Sequence, residues 1–163
     1  MVKNEMNPIN VSPKVLVDAD ACPVKEEIAY AAVPLGIPVW MVSSYNHVLP
    51  EFSGVTNITV DAVSQAADLY IANRLAHGDV LVTGDYGLAT IGLAKRAFVL
   101  SPRGMVFTND NIDRLLDERH AAAKRRRAGK RTKGPKPLTD QEKDIFLQVL
   151  TKVLRGLQEN GHT

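Results

Sequence analysis

Two aspartates one residue apart close a short apolar run in "VLVDADACP", and another closes the run "VLVTGD" further along the chain. Side chains alternate between the faces of a strand, so Asp18 and Asp20, at the end of a strand "KVLVDAD", are expected to point the same way. Two carboxylates that close call for a positive charge. Asp61 ends a third apolar run, "TNITVDA", and Asp68 lies about one turn into the helix read from "SQAADLYIANRLAHG". Acids of this kind, with no lysine in their own motifs, form a hard-oxygen site suited to Mg²⁺ or Mn²⁺. Asp18, Asp20, Asp61, Asp68 and Asp85 are the candidate ligands, and three or four of them converging would complete such a site. Taken singly, Asp61 and Asp68 also fit a helix cap, a turn or solvent. Asp18 and Asp85 differ, because carboxylates ending buried strands are costly to place unless something uses them.

The elements that must position these acids alternate. A strand over 14–20 is followed by a helix opening at Pro23 and stopped by Pro34 and Gly36. Strands follow over 37–44 and 56–62, the second leading into a helix that Asp61 and Ser64 could start and Gly78 closes, with Ala67, Tyr70, Ile71 and Leu75 at helical spacing. Then come a strand over 79–85, a helical unit over 86–96, a strand over 97–102, a short extension "GMVFTND" and a helix from near Asn109. This pattern predicts an α/β fold: a mainly parallel central sheet of about five strands, flanked by helices, in one domain over 1–163 with a flexible segment at 1–13. In such sheets ligands gather at the carboxyl ends of the strands, the edge that all these acids share.

Charge is distributed unevenly. Residues 119–136 hold nine of the 20 Lys and Arg and no acid, leaving 11 basic against 18 acidic residues elsewhere, a net charge of −7. An acidic body with one basic segment, read as a loop over 124–137, attracts polyanions by counterion release. Nucleic acid is the first partner to consider, with Lys124, Arg125, Arg126, Arg127, Lys130 and Arg131 on its phosphates, joined by Arg103 in the "SPRG" turn. The plainer alternatives are a solvated helix end and, for Arg103, a clasp on a turn or carboxylate. No aromatic residue interleaves with the basic run, so base stacking is not evident. Beyond it, Thr139 and Glu142 form a capping box for a C-terminal helix over 139–158, whose stripe of Ile145, Phe146, Val149, Leu150, Val153, Leu154 and Leu157 must dock. The expected dock is the body itself; the alternative is a second copy, giving a homodimer.

No apolar run reaches the roughly 20 residues of a membrane helix and no signal-peptide core is visible, so no membrane partner and a cytoplasmic location are expected. The single cysteine, Cys22, excludes an intramolecular disulfide. It precedes Pro23 at a helix start, where a thiol can be activated, yet none of His47, His77, His120 and His162 stands in a partner motif.

The segments "VDADACPVKEEI", "ADLYIAN", "VLVTGDYGLA", "VLSPRGMVFTNDNID", "LLDERH" and "KGPKPLTDQEKDIFLQVL", in this order over about residues 14–155, make the chain resemble the uncharacterised bacterial YaiI/YqxD family. That family is similar in its expected fold to PIN-like domains, many of which are metal-dependent ribonucleases. By this resemblance Asp18 matches the PIN acid ending the first strand, Asp68 the acid of the central helix and Asp85 the acid of a T-x-D-like element shaped by Thr83 and Gly84. Asp20 belongs to the D-A-D-A-C-P signature of the family; Gln65 stands where some relatives carry a further acid. The implied activity is phosphodiester hydrolysis of RNA with Mg²⁺ or Mn²⁺ held by Asp18, Asp20, Asp68 and Asp85. Two other classes remain. A haloacid-dehalogenase-like phosphatase would use Asp18 as nucleophile and Asp20 as acid and base, although Leu88 and Ala89 stand where another acid is sought. An RNA- or ribosome-associated binding protein would keep the acidic edge without turnover.

Overall fold

Val15, Leu16 and Val17 are wholly buried, as a strand must be when helices cover both faces of a parallel sheet. The computed structural model describes residues 9–44, 48–63, 65–129 and 136–160 and places this strand, β1 (Val15–Asp18), inside a six-stranded sheet. The other strands are β2 (Val39–Ser44), β3 (Val55–Val60), β4 (Val80–Val82), β5 (Phe98–Leu100) and β6 (Val106–Phe107), in the spatial order β3-β2-β1-β4-β5-β6. The first five pair in parallel and β6 runs antiparallel to β5. The chain builds outward from β1 to β3, then crosses back to set β4 on the other side of β1. Strand order therefore reverses between β1 and β4, the place where open α/β sheets leave a crevice at their carboxyl edge.

The mainly parallel α/β sheet expected from the sequence is present, and the extension "GMVFTND" supplies the sixth strand. It follows a tight turn in which the Ser101 hydroxyl accepts from the N–H groups of Arg103 and Met105, and Gly104 takes a φ of +87°. A side chain at Gly104 would also meet the backbone of Phe146 at 3.3 Å.

Alternation along β1 divides the core. Val15 and Val17 face α1 (Lys25–Ala32) and α5 (Asp140–Asn160), whose Phe146, Leu150 and Leu154 are wholly buried. Leu16 faces the cluster built with α2 (Ala66–Arg74), α3 (Tyr86–Ala94) and α4 (Asn109–Arg127). The C-terminal helix thus docks on its own body, opened by the capping box: Thr139 Oγ1 accepts from the Glu142 N–H at 3.1 Å, and Glu142 Oε1 accepts from the Thr139 N–H at 3.2 Å. In α3, Gly92 allows close approach, since a Cβ there would lie 2.8 Å from Val99 Cγ2 and 2.9 Å from Leu81 Cδ2. Gly92→Ala is therefore expected to cost about 1–3 kcal/mol through overpacking, despite the better helix propensity of alanine. A lowered urea midpoint at unchanged slope is the readout.

Three expectations are corrected. Asp20 is not in the strand: β1 ends at Asp18, and Ala19–Ala21 form a single 3₁₀ turn. The strand-alternation argument for pairing Asp18 with Asp20 lapses there. The first helix opens at Lys25, two residues after Pro23. The basic loop expected over 124–137 begins as helix, because α4 continues through Lys124, Arg125, Arg126 and Arg127 to a turn at Ala128 and Gly129. Three alanines before the basic cluster favour helix, and cations in the last turn complement its dipole. Lys130 and Arg131 lie outside the described residues, as do Ser64, His47 and His162.

At the amino ends of the strands sits a group that the sequence reading overlooked. Lys14 and Asp79, just before β1 and β4, form an ion pair at 2.6 Å with both side chains fully buried. Among the described residues no helix is long and apolar enough to cross a membrane.

Candidate active site

The carboxyl ends of β1 and β4 bring Asp18, Thr83 and Asp85 into one hydrogen-bonded chain. Thr83, wholly buried just past β4, donates its hydroxyl to Asp18 Oδ2 at 3.0 Å and accepts the Asp85 N–H at 3.0 Å. Asp85 is also the N-cap of α3: its Oδ1 accepts from the N–H groups of Gly87 at 2.8 Å and Leu88 at 3.2 Å. This cap is the structural role of the Asp85 carboxylate. It leaves the side chain partly open to the crevice, with Arg119 Nη1 3.9 Å from Oδ1.

Asp68, in the first turn of α2, meets Asp85 from the other side. Burial pushes its carboxyl above the usual carboxylate range, and the charge of Asp85 and a side-chain hydrogen bond with it push the same way. Asp18 is the most perturbed acid, raised from 3.8 to about 6. Burial is the main cause, opposed by the Thr83 hydroxyl and reinforced by the charges of Asp68, Asp85 and Asp20. Removing that hydroxyl should be visible directly. In Thr83→Val the Asp18 midpoint is expected to rise above 6, and stability to fall by about 1–3 kcal/mol as the Asp85 N–H loses its acceptor. Carboxyl NMR titration and urea unfolding would read the two effects.

Asp20 comes to the same region by another route, from its 3₁₀ turn, where Oδ1 accepts from the Ser44 N–H at the end of β2 at 3.0 Å. It lines a small cavity of about 280 Å³ together with Asp18, Asp61 and Asp68. Asp85 lines a larger cleft of about 800 Å³. Asp18 lies between the two and lines both. The oxygen donors have the chemistry that a hard dication requires, and Asp18 has the excess of negative charge that such an ion would relieve. Among the described residues, however, no group of three or more His, Cys, Asp or Glu side chains is placed to hold a metal ion. The fit therefore lies in donor type and charge, centred on Asp18, and not in a preassembled cage.

The wall of the larger cleft comes from α4, which contributes Leu115, Glu118, Arg119 and Arg126. Arg126 was expected to meet a polyanion; Arg119 was not singled out. A helical signal was available, because residues 115, 119 and 126 recur at spacings of four and seven and so share one face. Tyr86 was missed too. Its ring is set edge-on against Phe107 with centroids 5.7 Å apart, and it lines the cleft beside Asp85. Lys124, Arg125 and Arg127 are exposed on the last turn of α4. Arg103 does not line this cleft but borders the cavity beside it, and acts as a clasp: its guanidinium pairs with Glu142 Oε2 at 2.9 Å and donates to the Lys136 carbonyl, tying the turn after β5 to the start of α5. Cys22 is buried and its thiol is pushed up to about 11, chiefly by burial, which removes the activated-thiol chemistry.

Similarity to other proteins agrees with this layout in extent. Residues 16–156, spanning every strand but the first residue of β1, match the family described as "Uncharacterized BCR, YaiI/YqxD family". UPF0178 protein BH1374 of Halalkalibacterium halodurans is 47% identical over 141 residues, covering 86% of this chain and 90% of its own length. UPF0178 protein BcerKBAB4_2842 of Bacillus mycoides is 46% identical, over 88% of this chain and 99% of its own length. UPF0178 protein OB0454 of Oceanobacillus iheyensis is 48% identical, over 85% and 99%. No solved structure matches the chain. With the sequence motifs, the matched span and these identities in agreement, the chain belongs to the YaiI/YqxD family.

Proposed function

We propose that this protein is a divalent-metal-dependent nuclease that hydrolyses phosphodiester bonds in RNA. One observation carries the reading: a cleft at the strand-order reversal is lined by Asp18 and Asp85 and, from α4, by Arg119 and Arg126, with the acid Glu118 between Leu115 and Arg119. Acids and guanidinium groups lining one cleft are what a phosphodiester needs, since the guanidinium groups attract the polyanion that the acids alone would repel. The PIN-like resemblance of the motifs supports the same reaction class by analogy.

Mg²⁺ or Mn²⁺, held by Asp18 with Asp20, Asp68 or Asp85, would supply Lewis acidity and an activated water. The roles of the protein's own side chains follow from their positions. Thr83 orients the Asp18 carboxylate through its hydroxyl. Arg119 and Arg126 bind the phosphate backbone. Asp68 lines the smaller cavity with Asp18 and Asp20, where it serves as a further oxygen donor for the ion.

The test is calorimetric titration of Mg²⁺ and Mn²⁺ into metal-free wild type, Asp18→Asn and Asp85→Asn, followed by incubation of each with labelled single-stranded and structured RNA. The reading requires cleavage that depends on the ion and is lost with ion binding in both variants. Cleavage indifferent to both substitutions would overturn it. Salt-sensitive RNA retention without cleavage would replace it by a binding protein, and turnover of small phosphomonoesters through a phosphorylated Asp18 would replace it by a phosphatase.

A further inference from the structure

A third cavity, of about 920 Å³, adjoins the acidic cleft and shares Ala21, Gly84 and Tyr86 with it. Its volume is that of a small-molecule site. Its walls differ in character from the cleft. Pro23, Tyr86, Met105 and Leu138 make it apolar, and Lys136, Lys143 and Arg103, the last already paired with Glu142, line it as well. Among the described residues no acid lines it. Tyr86 forms the partition between the two spaces, one residue after Asp85, and the edge-on contact with Phe107 at 5.7 Å fixes its ring.

We propose that this cavity seats one unpaired base of a single-stranded RNA, packed against Tyr86, while the phosphate next to that base lies over Asp18 and Asp85. The proposal rests on the nuclease reading only for the position of that phosphate. Charge complementarity selects the occupant: an apolar wall suits a base, and two lysines suit the phosphates on its flank. Continuity with the cleft sets the direction of the strand, from the guanidinium wall of α4 across the acids to Lys136 and Lys143. A paired base presents only its edge, so a base must leave its stack to reach this ring. The substrate class that follows is single-stranded RNA, and duplex is disfavoured.

Binding is to be measured by fluorescence anisotropy in EDTA, at one salt concentration, with a labelled uridine dodecamer and a labelled RNA duplex. The proteins are the full-length wild type, Tyr86→Ala, Tyr86→Phe and Lys143→Glu. Tyr86→Ala is expected to weaken single-strand binding by about 10–100-fold, Tyr86→Phe to restore most of it, and duplex binding to move little. Lys143→Glu should weaken the single strand more than the duplex, and it decides the matter if Tyr86→Ala fails to fold. Unchanged single-strand affinity in the folded variants, equal affinity of wild type for duplex, or no binding by wild type would overturn the proposal. Because EDTA removes turnover, the two readings fail separately. Binding lost in Tyr86→Ala by a protein that never cleaves would keep the base site and discard the nuclease. Cleavage by a protein whose binding ignores Tyr86 and Lys143 would do the reverse.

Discussion

Replacing Asp79 with alanine is expected to destabilise the fold by about 3–5 kcal/mol, a large share of the roughly 5–15 kcal/mol by which a domain of this size is stable. Asp79 accepts three hydrogen bonds: from Lys14 Nζ at 2.6 Å, from the Lys14 N–H at 3.2 Å and from the Ala76 N–H at 2.8 Å. Alanine leaves the Lys14 ammonium without its anion in a fully buried site and orphans two backbone donors as well. Lys14→Met should cost less, because the Asp79 carboxylate keeps both N–H partners. The double variant Lys14→Met, Asp79→Asn should recover part of the loss, since a neutral pair needs no charge desolvated. Trp40, the only tryptophan, lies with its ring centroid 5.3 Å from Lys14 Nζ, so its fluorescence during urea unfolding reports on the site itself. An Asp79→Ala midpoint within error of wild type would refute the account.

The second large effect has the opposite sign. Asp18→Asn is expected to stabilise the metal-free protein at pH 8 by about 2–3 kcal/mol while abolishing the proposed cleavage. The folded carboxyl titrates near 6 against an ordinary value of 3.8. Between those two values the folded state holds a proton that the unfolded state has released, so stability falls as pH rises through this window. Above it the penalty is complete, at about 3 kcal/mol for two pKa units. Asparagine does not ionise and avoids it. Thermal unfolding in EDTA should show the variant melting well above wild type at pH 8 and the gap closing at pH 4. A gap independent of pH would show that Asp18 carries no such strain. Added Mg²⁺ or Mn²⁺ should raise the melting temperature of wild type and leave the variant where it was.

Much of this architecture is legible in the chain because local signals and tertiary demand agree. The strands β1, β2 and β4 are apolar runs buried on both faces, and the capping box at Thr139 and Glu142 announces α5 with the stripe that docks it. Boundaries were less legible. Asp20 continues an apparent strand in sequence, yet its carboxylate caps the Ser44 N–H from a 3₁₀ turn, a contact between residues 24 apart that no local pattern records. The basic run reads as a loop because its charge dominates, whereas the preceding alanines carry α4 through Arg127. Within the candidate site, the aspartates stand out by type and spacing. The cleft wall does not: Arg119 and Tyr86 matter through the packing of α4 against α3, which the sequence does not state. Lys14 and Asp79 fall in the same class, since a lysine beside a proline and an aspartate after a glycine look like surface residues until β1 and β4 are paired.

The late return of α5 sets the order in which the protein is completed during synthesis. The face of the sheet that carries Val15, Val17 and Met41 is closed by Phe146, Leu150 and Leu154, and Gln158 bonds to Leu35 across 123 residues of chain. At ribosomal rates of roughly 5–20 residues per second, that face waits on the order of 10 s for its cover. Throughout that interval the nascent chain presents an apolar sheet face and an unpaired helix α1, the kind of surface that chaperones bind.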